Sequence, residues 1–379
     1  MIQAFNTYLK QGLICGLLLF SIGSACSQGL SQKSERMSIS PSNPFHLGER
    51  MRKVEVQQGF LFPHHADMSH MYSGYQSIEY KQLKTLKGFT HTVGKPAKMG
   101  FHAGYYHFNS EYMGQGLAAG LAFAFPLNNY STKYYSNFGF VYGLGYISKP
   151  FDVQNNPMNR AIGSPINGYA QISLEGGIKM NDYWSMGARL GMSHFSNGNA
   201  KAPNLGVNLP FISVSVSKSI SYRASRVESG EVRVKRGEWF VSSRVGYKSV
   251  DVDDDRKMGV FVVEGGYSIG VKQHVWKGSV SLHTDPIYRF EKFQEMEAFS
   301  LTNGVEGAAA VGYEKIFDDW KLCVDAGVYL FTPAKGYKTA YFERLGVSRR
   351  LSQHWEAMVK LRANKAVADV VEWGLVYNW

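Results

Sequence analysis

Apolar and polar residues alternate with period two along most of the chain after residue 54, the pattern of strands with one face turned to each environment. The alternation is cleanest near the C-terminus. Between His354 and Asn364, Trp355, Ala357, Val359 and Leu361 share one face, while Glu356, Lys360 and Arg362 share the other. The last segment sets Val371, Trp373, Leu375, Tyr377 and Trp379 against Glu372 and Asn378. Alternating segments bounded by turn residues predict about sixteen antiparallel strands, near 54–62, 76–84, 99–108, 114–126, 132–147, 166–180, 184–196, 208–221, 237–248, 257–272, 274–288, 305–316, 320–332, 339–351, 353–364 and 368–379. Short connections fall around Leu127–Asn129, Asn181–Tyr183, Lys272–His274, Phe317–Asp319 and Leu351–Gln353, and longer ones include 148–165, 197–207 and 289–304. Short turns on one side and long loops on the other characterise a transmembrane outer-membrane β-barrel, with the short turns in the periplasm. Both termini would then be periplasmic.

Composition and the first residues sharpen this picture. Lys10, the apolar run Gly12 to Ile22 and the small residues Gly23, Ser24 and Ala25 have the layout of a cleaved signal peptide over residues 1–26. Cys26 leaves lipidation open, with Gly23 rather than a leucine three residues before it. No later stretch approaches the roughly 20 apolar residues that a spanning helix needs, so a helical membrane protein is excluded. Cys26 and Cys323 alone cannot make a disulfide framework. The 23 Tyr, 23 Phe, 7 Trp and 40 Gly suit a barrel with a polar lumen and aromatic rims. A chain end on Trp379 in an alternating strand resembles the signal read by the barrel assembly machinery. The net charge of +11 meets no nucleic-acid motif and fits lipid phosphates better.

The domain boundaries follow: an N-terminal periplasmic segment at 27–50, one barrel half at 51–222, a connection at 223–236 rich in Arg, Glu and Lys, and a second half at 237–379. The strands divide eight and eight. One wide barrel is the favoured expectation, because tandem closed barrels are rare; two small ones are the alternative.

Candidate chemistry sits where parity and polarity disagree. Trp184, Met186, Ala188, Leu190 and Met192 form a lipid face opposite Ser185, Arg189 and Ser193, and the same parity turns His194 and Ser196 outward. Residues two apart on one strand face lie roughly 6.5–7 Å apart at Cα, close enough for the side chains to share a hydrogen bond. On the return strand Ile212, Val214 and Val216 face outward, and so by parity does Asn208. A polar trio on a lipid-facing wall is costly unless it acts on something there or lies in the headgroup zone.

The stretch Met192 to Pro210, MSHFSNGNAKAPNLGVNLP, resembles the catalytic segment of the outer-membrane lipid A 3-O-deacylase family of the PagL type, also described as acyloxyacyl hydrolase-like. Its core is His-x-Ser-Asn followed by Pro-Asn. Similarity extends over LGYISKPFDVQNNPMNRAIGSPIN (Leu144 to Asn167) and FPHHADMSHMYSG (Phe62 to Gly74), within roughly 51–221. The resemblance implies an eight-stranded esterase barrel acting on lipid A in the outer leaflet. It assigns His194 as base, Ser196 as nucleophile and Asn204 as oxyanion donor. The family's acidic third member falls on Asn208, a departure that leaves a slow enzyme, a site adapted to Asn, or a relic. Asn197, the Gly198 amide and Lys201 complete the expected lipid A site, Lys201 toward a phosphate. Glu175 could replace the acid only from the lipid face, and its neighbours turn it inward.

Neither a cofactor nor a metal is expected. His64, His65, His70 and Asp67 lack an established zinc spacing, and Asp251, Asp253, Asp254 and Asp255 read as a solvated acidic loop. Three functions therefore compete: a lipid A esterase, a non-enzymatic barrel that is porin-like or keeps an inactive site, and a surface receptor. For a channel, Glu356, Lys360, Arg362 and Glu372 are the candidate lumen lining.

Overall fold

A computed structural model of the chain describes residues 47–90, 96–128, 133–223, 237–251, 254–271, 273–284, 305–317, 319–332, 340–365 and 367–379. The expected signal peptide and Cys26 lie outside these residues, as do the 223–236 connection beyond Arg223, the whole 289–304 loop and Asp253. Every alternating segment becomes a strand: β1 (Leu47–Phe60), β2 (Gly74–Thr90), β3 (Pro96–Phe108), β4 (Gln115–Pro126), β5 (Tyr134–Ile147), β6 (Ile166–Lys179), β7 (Trp184–Ser196) and β8 (Val207–Arg223), then β9 (Glu238–Asp251), β10 (Asp254–Val271), β11 (His274–Thr284), β12 (Val305–Phe317), β13 (Trp320–Phe331), β14 (Tyr341–Arg350), β15 (Trp355–Asn364) and β16 (Val367–Asn378). Among the described residues the only helix is a 3-10 turn at Ala66–Met71. β1 starts at Leu47, so residues 47–50 belong to the first barrel wall and not to the N-terminal segment.

Closure departs from expectation. The strands form two eight-stranded antiparallel barrels, β1–β8 and β9–β16, rather than one wide barrel. The cause lies in β1 and β8, which pair continuously from Leu47↔Arg223 to Gly59↔Phe211. Each edge is satisfied by the other, and none is left to accept β9. The second barrel closes through β9 and β16 in the same way.

Eight strands enclose a space that side chains alone can fill. On β1, Glu55 is 1% exposed while its outward neighbours Val54 and Val56 are 48% and 55% exposed. Inside the first barrel, Glu55, Glu79 and Glu175 are met by Lys53, Lys81 and Arg189, with Lys53 Nζ 2.5 Å from Glu175 and Lys81 Nζ 3.0 Å from Glu79. Glu175 thus faces the lumen, as its neighbours suggested. The second lumen is filled likewise: Lys360 meets Asp325 at 2.7 Å, Lys321 meets Glu356 at 2.6 Å, and Arg362 and Arg244 converge on Glu372. Glu356, Lys360, Arg362 and Glu372 do point inward, but as buried ion pairs rather than as a channel lining. A charge buried without a partner is costly, and pairing across the lumen offsets part of that cost.

The outward faces are apolar and end in aromatic rims. At the short-turn end of the second barrel, Trp239 packs on Tyr267, Trp276 on Tyr313, and Trp355 and Trp379 on Tyr377. Both barrels belong to one compact unit, Leu47–Trp379. Phe123 and Phe140 face away from the first lumen yet are buried, because Phe317 of the second barrel covers them, its ring centroid 5.4 Å from that of Phe123.

Candidate active site

The end of β7 is oriented from within. Phe195 points inward and packs against Tyr106 and Tyr169, with ring centroids 5.4 and 5.0 Å away. Gly145 makes room for it: a Cβ there would lie 2.5 Å from the Phe195 ring. With Phe195 anchored inside, strand parity turns His194 and Ser196 to the outer wall. β8 brings Asn208 directly opposite His194 in the sheet register, on the same outward face as Ile212, Val214 and Val216.

His194 Nδ1 lies 2.7 Å from Asn208 Oδ1. On the far side, Asn208 Nδ2 is 3.0 Å from His64 Nδ1, and His64 Nε2 is 2.8 Å from the Leu205 carbonyl oxygen. His64 arrives there because the Phe62 amide donates to the Asn208 carbonyl at 2.9 Å, tying the chain before the 3-10 turn to the start of β8. A carbonyl oxygen can only accept, so His64 Nε2 carries a proton. In neutral His64, Nδ1 is then the acceptor and takes a hydrogen from the Asn208 amide. That fixes the amide with Oδ1 toward His194, which must donate from Nδ1 and keep its lone pair on Nε2. One backbone carbonyl therefore sets the tautomer of His194 through two side chains. Gly206, with φ of +80°, gives the ring its space, since a Cβ there would lie 2.8 Å from His194 Cε1.

Ser196 has a separate set of partners. Asn204 Nδ2 donates to its Oγ at 3.0 Å, the Gly198 amide donates at 3.3 Å, and the hydroxyl donates to Asn204 Oδ1 at 3.2 Å. The Asn197 amide holds the same Asn204 Oδ1 at 2.9 Å, which orients the Asn204 side chain. Two N–H donors thus converge on the serine oxygen. The expected hydrogen bond between His194 and Ser196 is not formed, because Asn204 Oδ1 takes the hydroxyl proton instead.

The remaining candidates form the frame. Asn197 Nδ2 donates to the Lys201 carbonyl at 2.7 Å. Lys201 adds a favourable charge to Asp152, whose carboxyl is held below its usual range mainly by the amides of Asn155 and Gln154. The 148–165 loop is built around buried Asn159, which donates to the Lys149 and Tyr112 carbonyls and accepts from the amides of Ala161 and Ile162. Ala161 in turn accepts the Gly206 amide at 2.9 Å, so this loop braces the site. His64 is the residue that sequence reasoning missed as part of the site. The available signal is its place in the Phe62–Gly74 segment; its two nitrogens are taken by Asn208 and Leu205, and His70 Nε2 lies 2.8 Å from the Met158 carbonyl.

Comparison with known families decides the kinship. Residues 83–217 match the model of lipid A 3-O-deacylase (PagL), and residues 237–379 match that of the acyloxyacyl hydrolase C-terminal domain, PagL_C. The chain belongs to the PagL lipid A deacylase family. The two matches fall one per barrel, with residues 218–236 between them. No curated protein matches the chain. Among solved structures it is similar to a mutant porin of Rh. blastica (9% identity, covering 88% of this chain and 100% of that chain, TM-score 0.19). Similar values hold for OmpF of Salmonella typhi in complex with daunomycin (8%, 88% and 97%, 0.19) and for the outer membrane protein opdK from Pseudomonas aeruginosa (10%, 87% and 98%, 0.20). Scores that low add nothing to the topology described above.

Proposed function

We propose that this PagL-family protein is an integral outer-membrane serine esterase that hydrolyses an ester-linked acyl chain of lipid A. The observation that carries the reading is the chain Leu205 carbonyl, His64, Asn208, His194. In a serine triad, exchanging Asp for Asn lowers turnover by about 10⁴ through the wrong histidine tautomer. Here His64 Nδ1 accepts one Asn208 amide hydrogen, which turns the amide so that its oxygen faces His194. An Asn in the third position is then compatible with a competent base, although it stabilises the imidazolium less than a carboxylate would.

The chemistry follows from the same atoms. His194 Nε2 takes the Ser196 proton as Oγ attacks the ester carbonyl; the tetrahedral oxyanion is met by Asn204 Nδ2 and the Gly198 N–H; the lipid A alkoxide leaves with the proton from His194; water then cleaves the acyl-enzyme by the reverse transfers. Lys201, on the same loop, is assigned to a lipid A phosphate. Placing the short turns in the periplasm sets both chain ends there and puts the site at the external rim, level with the outer-leaflet acyl esters. The apolar row Leu190, Ile212 and Val214, which is 64–66% exposed, lies below it as a surface for the acyl chain.

Mass spectrometry of lipid A from cells carrying the full-length protein tests the reading. One acyl chain should be missing, and Ser196→Ala should restore the full mass at equal barrel yield. An unchanged lipid A mass in both would favour the non-enzymatic barrel.

A further inference from the structure

The turn that carries the Gly198 amide is not held by the first barrel alone. Gly198 and Asn199 both have positive φ, 64° and 65°. Consecutive left-handed residues persist where their surroundings determine them. Those surroundings belong in part to the second barrel. Ser249, near the outer end of β9, donates its backbone N–H to the Asn199 carbonyl at 2.8 Å. A Cβ on Gly198 would lie 2.4 Å from Val371 Cγ2 and 3.5 Å from Leu361 Cδ1, so the turn rests against β15 and β16. Val371 and Leu361 are register partners on the outward face. Both are half-buried, whereas Trp373 and Leu375 further along the same row are 42% and 47% exposed. Pairing of β16 with β9 stops at Trp373↔Val245, and four residues further along β9 the Ser249 amide meets Asn199 instead.

We propose that the second barrel props the catalytic loop: Val371, Leu361 and the Ser249 amide hold the Gly198 turn so that its N–H aims at Ser196. An eight-stranded barrel alone would leave that side of the turn to lipid or water. These are positioning residues that act through Gly198 and Asn199. The geometry stands by itself, while its catalytic consequence rests on the esterase reading above.

The test uses the full-length protein in lipid nanodiscs, with amide hydrogen exchange at Gly198 and Gly206 read by NMR and fatty-acid release from lipopolysaccharide read alongside. Gly206 is the internal control, because its N–H is held by Ala161 of the first barrel. Val371→Ala and Ser249→Pro should each speed exchange at Gly198 about tenfold and leave Gly206 unchanged. Turnover should fall about tenfold at constant KM, less than the 10²–10³ lost when an oxyanion donor is removed outright. Val371→Ile should retain both properties. Heat-modifiable migration certifies assembly, and if Ser249→Pro fails it, Val371→Ala decides. Unchanged exchange at Gly198, equal loosening at Gly206, or a loosened turn with undiminished turnover would each overturn the proposal. If the unmodified protein released no fatty acid, the esterase reading would fail while the exchange result still judged the prop.

Discussion

The two barrels share one architecture and differ in what they do with their outer rims. Each closes eight antiparallel strands around a lumen packed with buried ion pairs, and each turns an apolar wall outward. In the first, that apolar row ends in His194, Ser196 and Asn208, roofed by loops whose backbone groups are tied to one another. In the second, the corresponding height carries Val371 and Leu361, and β15 joins β16 by a short turn. Both lumens are thus filled by the same means, while the chemistry proposed above belongs to the rim of one. Buried charge here marks a filled core rather than a site, and polar residues on a lipid-facing wall are the informative anomaly.

The largest effect that would sharpen this contrast concerns the first rim. Asn204→Ala should lower fatty-acid release by about 10²–10³ with little change in KM, because it removes a donor that acts on developing negative charge. Steady-state kinetics on lipopolysaccharide vesicles would read it. A loss confined to KM would mean that Asn204 holds substrate rather than the oxyanion. The smallest catalytic effect is expected from the second lumen. Lys321→Met strips Glu356 and Glu314 of a partner they meet at 2.6 and 3.2 Å. Glu314 keeps Lys277 at 2.6 Å, but Glu356 loses its cation, and a buried carboxylate left so should cost about 3 kcal/mol in a denaturant titration, while turnover of the assembled fraction changes less than twofold. A large kinetic effect there would break the division between lumen and rim.

How much of this was legible in the sequence depends on range. Period-two alternation locates all sixteen strands, and parity alone turns His194, Ser196 and Asn208 outward, because both rules concern residues one or two apart. Closure into two barrels depends on β1 meeting β8, with Leu47 beside Arg223, which alternation does not report. A count of strands therefore leaves barrel width undetermined. The filled lumen has the same origin: Lys360, Arg362 and Glu372 read as inward-facing from parity, but their partners Asp325 and Arg244 lie on other strands. His64 stayed hidden for this reason too. It meets Asn208 across 144 residues, through a bridge at Phe62 that no local pattern announces. The serine's own bonds were obscured by chemistry rather than range, because Asn204 offers both a donor and an acceptor and the acceptor competes with His194 for the hydroxyl proton.

Catalysis at this site requires Asn208 to work as the third member of the triad because His64 orients it, and a double-mutant cycle in turnover tests this most directly. His64→Ala frees the Asn208 amide to present its NH₂ to His194, and turnover should fall at least tenfold, toward but not reaching the about 10⁴ attached to a wrong tautomer. In an Asn208→Asp background either carboxylate oxygen accepts from His194, so the same His64→Ala change should cost less than about twofold, the coupling that a shared network shows. Aspartate rather than glutamate is the informative exchange, since it preserves the 2.7 Å reach of Asn208 Oδ1 to His194 Nδ1. Equal losses in the two backgrounds, or no loss in either, would contradict the account.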